Sequence, residues 1–128
     1  VTKDSDLCGQ LRDSHNRSDV KSYLLERNHS HACFYIVSEP GSTSAAETMS
    51  KICAVDLRPH RFANLAMAQT SVARLNAVVV RHDHLGRLAY LILSDMTAAQ
   101  FMWHSVLDAM QEFDGRPAGL NAITLEAK

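Results

Sequence analysis

The chain has 128 residues, of which 46% are hydrophobic and 21% charged, and its formal net charge is −1 at pH 7. This length suits one domain, and the composition argues against a disordered or fibrous chain. No apolar run reaches the ~18–20 residues of a membrane helix, no basic excess indicates nucleic-acid binding, and no signal-peptide pattern opens the chain. We therefore expect a cytoplasmic protein without membrane or nucleic-acid partners.

The first 25 residues are polar, and among them only Leu7 and Leu11 share a helical face. We expect residues 1–25 to form an arm or a partner-covered segment and residues 26–128 to form a single domain. The sequence VKSYLLE at 20–26 favours a first strand.

The strongest early strand signal is HACFYIV at 31–37, which is rich in aromatic and β-branched residues. Its almost continuous apolar run predicts burial on both faces. The sequence Glu39-Pro40-Gly41 predicts a turn directly after it.

A helix of roughly three turns is predicted next. Ser44 or Ser42 is the expected N-cap, and Glu47 would complete a capping box with Ser44. The helix should end near Val55, because Pro59 disfavours helix just before it. The residues that share its apolar face at helical spacing are Ala46, Met49, Ile52 and Cys53.

Two strands, 67–74 and 77–82, are predicted with a junction at Leu75-Asn76, because asparagine tolerates the positive φ of a tight hairpin. A second turn, at 84–87, should lead into a buried strand, LAYLILS at 88–94.

Thr97 is expected to cap a long helix that ends at Asp114-Gly115, where the glycine would adopt the left-handed conformation. The tail, 119–127, could add a short strand or lie along a partner. The expected apolar positions of the helix are Phe101, Trp103, Val106, Ala109, Met110 and Phe113.

This order of elements predicts an α+β fold, an antiparallel sheet with two helices packed on one face in a split βαβ-like plan.

Histidine and cysteine offer a possible metal site. His29, His31 and Cys33 alternate along a predicted strand, and His82 and His84 repeat the spacing, so three ligands on one face could hold zinc. The spacing matches no zinc motif, so we favour structural histidines and expect no metal. The cysteines are expected to be free thiols, two buried and one terminal; they are Cys8, Cys33 and Cys53.

No motif indicates a catalytic centre: there is no G-x-S-x-G sequence and no glycine-rich phosphate loop. The carboxylates of Asp108 and Glu112 fit a solvated helix face. An anion could rest on the helix start near Ser44, beside Arg58, which makes a stand-alone folate- or anion-binding module an alternative function.

The connector before the hairpin carries the most informative side chains. Asp56 can accept hydrogen bonds, Arg58 is a fork-shaped donor, and Pro59 stiffens the bend. On the strand that follows, a buried Gln69 amide next to Thr70 would need hydrogen-bond partners. We therefore expect a loop fixed to a strand. Trp103 is expected in the core, or in a stripe that faces a partner. The candidate structural or interface residues are Asp56, Arg58, Pro59, Phe62, Gln69, Thr70 and Trp103.

The segments CAVDLRPHRF (53–62) and AQTSVAR (68–74) resemble the gamma subunit of heterotetrameric sarcosine oxidase. That family has a Cys-Pro-Leu-Asp-Leu-His-Pro-like segment, a phenylalanine, and then Ala-Gln-Thr before an apolar strand. In this chain Ala54 replaces the usual proline, and Arg58 replaces the usual histidine. The resemblance spans about 31–113, and its later counterparts are Leu91 to Ser94, Met96 to Ala98, Trp103, Asp108-Ala109 and Glu112-Phe113.

The resemblance implies a fold related to the folate-binding aminomethyltransferase and YgfZ-like group. It also implies a non-catalytic subunit that assembles with alpha, beta and delta subunits. That complex demethylates sarcosine oxidatively to glycine, makes hydrogen peroxide and passes the one-carbon unit to tetrahydrofolate. Its FAD, FMN, NAD and zinc sites would lie in the other subunits, with no catalytic, cofactor or metal residue here. A subunit of a related N-methyl amino acid dehydrogenase is the alternative.

Overall fold

The computed structural model describes residues 29–119 and 121–122; the N-terminal arm, Cys8, the strand expected at 20–26 and most of the tail lie outside them. The elements in chain order are β1 (His31–Val37), α1 (Ser44–Ile52), β2 (Met67–Val72), β3 (Leu75–Arg81), β4 (Ala89–Asp95), a 3₁₀ turn (Met96–Ala98), α2 (Ala99–Met110) and a second 3₁₀ turn (Gln111–Phe113).

The four strands form one antiparallel sheet in the order β1-β4-β3-β2. The first and second strands in sequence therefore occupy the two edges, and the connection through α1 passes from one edge to the other. The predicted α+β class, with an antiparallel sheet and two helices, is confirmed. The described residues from His31 onward form one compact unit; the domain boundary expected after residue 25 lies outside the described residues and stays a prediction.

Strand register divides the sheet into two faces, because successive side chains point to opposite sides. Both helices pack on the same face, where Met49 of α1 and Met102 of α2 meet Val79 and Ile92 in the core. The other face, called the open face below, carries no described helix. Its positions are His31, Cys33, Tyr35, Val37, Met67, Gln69, Ser71, Asn76, Val78, Val80, Ala89, Leu91, Leu93 and Asp95.

The limits predicted for β1 are confirmed, but its expected burial on both faces is wrong. β1 lies at an edge of the described sheet, and Cys33 on the open face is exposed while Ala32 is buried. Of the cysteines expected to be buried, only Cys53 is. The turn at Pro40-Gly41 is confirmed, since Ser42 N–H donates to the Glu39 carbonyl and Gly41 has a φ of +74°.

The capping box predicted for α1 does not form. Thr43 is the N-cap residue, and its hydroxyl donates to the Glu47 carboxylate at 2.7 Å. The N–H of Ser44 donates to the Ser42 hydroxyl and that of Ala45 to the Ser38 hydroxyl. The first turn of α1 is therefore tied to the end of β1.

α1 ends at Ile52, three residues before the predicted Val55. Cys53 is extended and forms a bridge with Val72, and the Ala73 N–H donates to the Ile52 carbonyl at 2.7 Å. This contact with β2 takes the place of another helical turn. The predicted apolar face is borne out, since Ala46, Met49 and Cys53 are buried.

The β2–β3 hairpin turns at Ala73-Arg74 and not at the predicted Leu75-Asn76. Val72 pairs with Leu75, which leaves a two-residue loop whose φ values of 49° and 68° define a type I′ turn. Neither residue is a usual occupant of this turn. Burial decides the register, because it places Ala77 in the core.

The second predicted turn is confirmed. His84 and Arg87 exchange backbone hydrogen bonds of 2.9 Å around Leu85-Gly86, again a type I′ turn with two positive φ values. β4 follows as the central, most buried strand, as its LAYLILS sequence indicates.

α2 differs from its prediction at both ends. The side chain of Asp95, and not of Thr97, caps its 3₁₀ start by accepting from the Thr97 N–H at 2.8 Å. The left-handed residue at its end is Asp114, with a φ of 54°. Gly115 is needed there for close approach, because a Cβ would lie 2.8 Å from Met110 Cβ.

The buried face of α2 consists of Met102, Val106 and Ala109. Phe101, predicted to be apolar core, is 56% exposed, and Trp103 is 39% exposed. Within the described residues, no helix is long and apolar enough to span a membrane.

Arg74→Gly should raise the free energy of unfolding by about 0.5–1 kcal/mol, because an L-residue in the left-handed region costs roughly 1–2 kcal/mol and glycine entropy offsets part of the gain. Urea unfolding measures the change. Arg74→Ala is the matched control and should bring no gain; an equal gain would assign the effect to loss of the arginine side chain.

Gly86→Ala should lower the free energy of unfolding by about 1 kcal/mol. Nothing lies within 4 Å of the added Cβ, so the cost comes from the positive φ of this position alone.

Candidate functional site

The connector between α1 and β2 is fixed to the sheet by an arginine that the sequence interpretation overlooked. Arg81, the last residue of β3, donates to the carbonyls of Phe62 at 2.7 Å and Pro59 at 3.1 Å. The ring of Phe62 is buried, whereas Pro59 is exposed. The expected loop fixed to a strand is therefore present, but Gln69 takes no part in it.

Arg81 also forms a two-pronged ion pair with Asp83, with N–O distances of 2.9 and 2.7 Å. These hydrogen bonds hold the pKa of the Asp83 carboxyl below its usual range. Asp83 N–H donates to the Asn64 side chain, which ties the start of the β3–β4 hairpin to the connector. An arginine at the end of an apolar strand, two residues before an aspartate, was the sequence signal available for this cluster.

Tyr90 supplies the second anchor. Its ring is fully buried on β4, and its hydroxyl donates to the carbonyl of Leu57 in the connector. Burial raises the pKa of Tyr90 to about 12, partly opposed by the nearby Arg81. The connector thus rests on two adjacent strands, since Arg81 and Tyr90 are register partners.

Asp56 and Arg58 lie together at the surface. The Arg58 side chain donates twice to the Asp56 carboxylate, at 2.8 and 2.7 Å, and its backbone N–H donates to the same group at 3.2 Å. Hydrogen bonding to Arg58 holds the pKa of Asp56 well below its usual range. Because both side chains are exposed, the pair shapes the loop and adds little stability.

The proposed anion site at the start of α1 has no spare backbone donors. The N–H groups of Ser44 and Ala45 are bound to serine hydroxyls, and those of Ala46 and Glu47 donate to the Thr43 carbonyl. Arg58 is engaged by Asp56. This arrangement gives no support to a folate or anion site there.

The candidate zinc ligands are not assembled. Among residues 29–119 and 121–122, no three histidine, cysteine or acidic side chains are placed to hold a metal ion. Tyr35 contacts both histidines in another way. Its hydroxyl donates to the backbone carbonyl of His82 at 2.7 Å, and the Tyr35 ring lies edge-on to the ring of His84.

Gln69 and Thr70 occupy successive positions on β2 and point to opposite faces. Gln69 is exposed on the open face, so its expected burial is wrong; the register that buries Val72 forces this orientation. A shallow groove of about 400 Å³ crosses this end of the open face. It is lined by His31, Gln69, Thr70, Asn76, Ala77, Val78 and Leu93.

Trp103 lies outside the central core. Its ring packs at 6.3 Å from that of Phe34 on the helix side of β1, and the remainder of the indole is exposed. Of the sequence candidates, the structure brings together Pro59 and Phe62 through Arg81. It leaves Gln69 on the open face and Trp103 on the helix side.

The open face is unusually apolar for a sheet surface on which no described helix packs. Two neighbouring rows of side chains cross all four strands and consist mainly of apolar residues. They are Cys33, Leu93, Val78 and Gln69 in one row and Tyr35, Leu91, Val80 and Met67 in the other. An antiparallel sheet face directed at water normally alternates to polar residues, so this composition indicates a contact surface.

Comparisons with known proteins match this chain at the level of its fold. No family model and no curated protein matches the sequence. A chain of the heterotetrameric sarcosine oxidase from Corynebacterium sp. U-96, solved in complex with pyrrole 2-carboxylate, superposes with a TM-score of 0.67 and 19% identity. The alignment covers 93% of this chain and 56% of that chain. At this identity the likeness establishes the fold, and this chain spans little more than half the length of the chain it matches.

Arg81→Met should lower the free energy of unfolding by about 2 kcal/mol, because two connector carbonyls lose their donor and the largely buried Asp83 loses its partner. Chemical denaturation measures the loss. Arg58→Met is the matched control, and its exposed pair predicts no measurable change. Equal effects of the two substitutions would contradict the anchoring role of Arg81.

Tyr90→Phe should lower stability at neutral pH by about 1 kcal/mol, since the Leu57 carbonyl loses its donor. It should also change the alkaline limb of the stability profile. Because the folded-state pKa is raised from 10.0 to about 12, the neutral phenol stabilises the fold fully below pH 10, and this contribution disappears as the pH rises to about 12. Denaturation across this pH range should show a loss of stability in the wild type that Tyr90→Phe lacks. An equal loss in both proteins would contradict the prediction.

Proposed function

We propose that this chain is a non-catalytic, gamma-type subunit of a heterotetrameric, flavin-dependent sarcosine oxidase-like complex. The observation that carries the proposal is the fold likeness to a chain of the Corynebacterium enzyme, which extends over 93% of this chain. The CAVDLRPHRF and AQTSVAR segments support it independently, because they follow the order of the gamma-subunit signature.

The surface of the molecule supports a subunit role. The open face presents two apolar rows, and three exposed large hydrophobic residues, Leu65, Met67 and Leu85, lie at its β2–β3 side or on the adjoining loops. Exposed apolar area of this kind is typical of chains that bury it against a partner.

The use of the polar side chains supports a structural role. Arg81 and Asp83 hold the connector, Asp56 and Arg58 shape its surface turn, and Tyr90 is hydrogen-bonded deep in the core. Each of these groups makes an internal hydrogen bond, which a catalytic group would have to break in order to react with a substrate.

In this proposal the chemistry belongs to the partner chains, of alpha, beta and delta type. They would carry FAD, FMN, NAD and zinc, oxidise sarcosine to glycine and pass the one-carbon unit to tetrahydrofolate. This chain would bind none of these groups and would stabilise the assembly in the cytoplasm.

Purification of the tagged chain from its source cells tests the proposal. We expect larger chains to co-purify in fixed stoichiometry, visible flavin absorbance, and sarcosine-dependent oxygen consumption with release of hydrogen peroxide. Mock purification from cells with the untagged chain is the control.

Two other results would change the conclusion in different ways. A yellow complex that oxidises another N-methyl amino acid but not sarcosine would keep the subunit role and replace the substrate. A chain that purifies alone, without flavin, would overturn the proposal.

A further inference from the structure

We propose that the open face, together with the exposed leucines Leu65 and Leu85, is the surface on which a larger partner chain docks through an uncharged apolar element. This inference rests on the proposed function and assigns the contact to one side of the sheet.

The charge pattern of the face defines the chemistry of the partner. Asp95, at the end of β4, is the only open-face position with an acidic or strongly basic side chain. Its carboxylate is engaged by the Thr97 hydroxyl at 2.6 Å. A partner surface with several charges would find few groups to pair with here and would lose hydration, so an apolar, uncharged element is the complementary one.

Backbone strain marks two further members of the surface. Leu65 and Leu85 have φ values of 68° and 49°, and they are 68% and 57% exposed. Leucine is disfavoured in this conformation, and because both side chains are exposed, no burial of apolar surface offsets the conformational cost. Strained residues of this kind concentrate at binding sites.

The two leucines lie at one end of the sheet. Leu65 N–H donates to the carbonyl of Arg81 at the end of β3, and Leu85 sits at the tip of the hairpin that follows the same strand. Met67, 67% exposed, continues this group onto the open face beside Val80.

The size of the face argues against a second copy as the occupant. Four strands of about seven residues present a sheet of roughly 20 by 20 Å, or about 400 Å². A stable specific interface uses about 800 Å² from each partner. Two open faces placed together would fall well short, whereas a larger chain can cover the face and the adjoining leucines at once.

Leu85→Asn and Met67→Lys test the surface in the complex isolated through the tagged chain. Each should weaken retention of the partner about tenfold or more. Leu85→Asn should at the same time raise the melting temperature of the isolated chain, because asparagine suits the type I′ turn. Phe101→Lys, equally exposed but on the helix side, is the matched control and should leave retention unchanged.

Cys33 provides a second readout, because its thiol is exposed on the open face. Maleimide labelling of Cys33, mapped by mass spectrometry, should be at least tenfold slower in the complex than in the isolated chain. Full labelling in an intact complex would overturn the assignment.

The outcomes separate this inference from the proposed function. A yellow complex that survives Leu85→Asn and Met67→Lys but is lost with Phe101→Lys would keep the function and overturn the surface. If only Leu85→Asn and Met67→Lys released the partner, and the partner carried no flavin, the surface would be kept and the proposed function overturned. A monomer without any partner overturns both, and a homodimer that Met67→Lys dissociates assigns the face to a second copy.

If Met67→Lys markedly destabilised the isolated chain, as shown by thermal unfolding, the face would be covered by this chain itself, and the inference would be wrong.

Discussion

The guanidinium group of Arg81 fixes the connector between α1 and β2 to the end of β3. It binds two carbonyls of the connector and the carboxylate of Asp83, and Asp83 in turn holds Asn64. The contacts of Arg81 with Phe62 and Asp83 are partly buried, so loss of the guanidinium would leave groups there unpaired at a cost in stability. The path from α1 to β2 is thereby fixed against the end of β3, with Tyr90 adding a hydrogen bond from the neighbouring strand.

The anchored connector has a consequence for the distribution of apolar surface. It closes the helix side of the sheet, where Leu57 and Phe62 complete the core between the strands and the two helices. All of the described helical cover lies on that side. On the opposite side, no described helix covers the half-buried apolar side chains of Leu91, Leu93, Val78 and Val80. The asymmetry of the sheet is the physical argument for assembly with another chain.

Sequence patterns predicted the elements well where a long apolar run or a helical period dominates, as in β1, β4 and the apolar face of α1. They failed at boundaries and caps, where several donors compete. Asp95 caps α2 in place of Thr97 because its carboxylate reaches the Thr97 N–H, and Ala73-Arg74 turns the hairpin in place of Leu75-Asn76 because core packing selects the register. Local propensity was overridden at these positions by longer-range contacts.

By itself, the sequence determined the α+β class, the order of the elements and the existence of a fixed connector, because these follow from periodicity and from residue types within short segments. Tertiary structure alone decided which residue fixes the connector, that Gln69 points to the open face, and that Cys33 and Trp103 are exposed. These depend on which strands become neighbours, in the order β1-β4-β3-β2, and on which face the helices cover. The chemistry of a shared surface is a property of residues far apart in sequence, and only the folded chain brings them together.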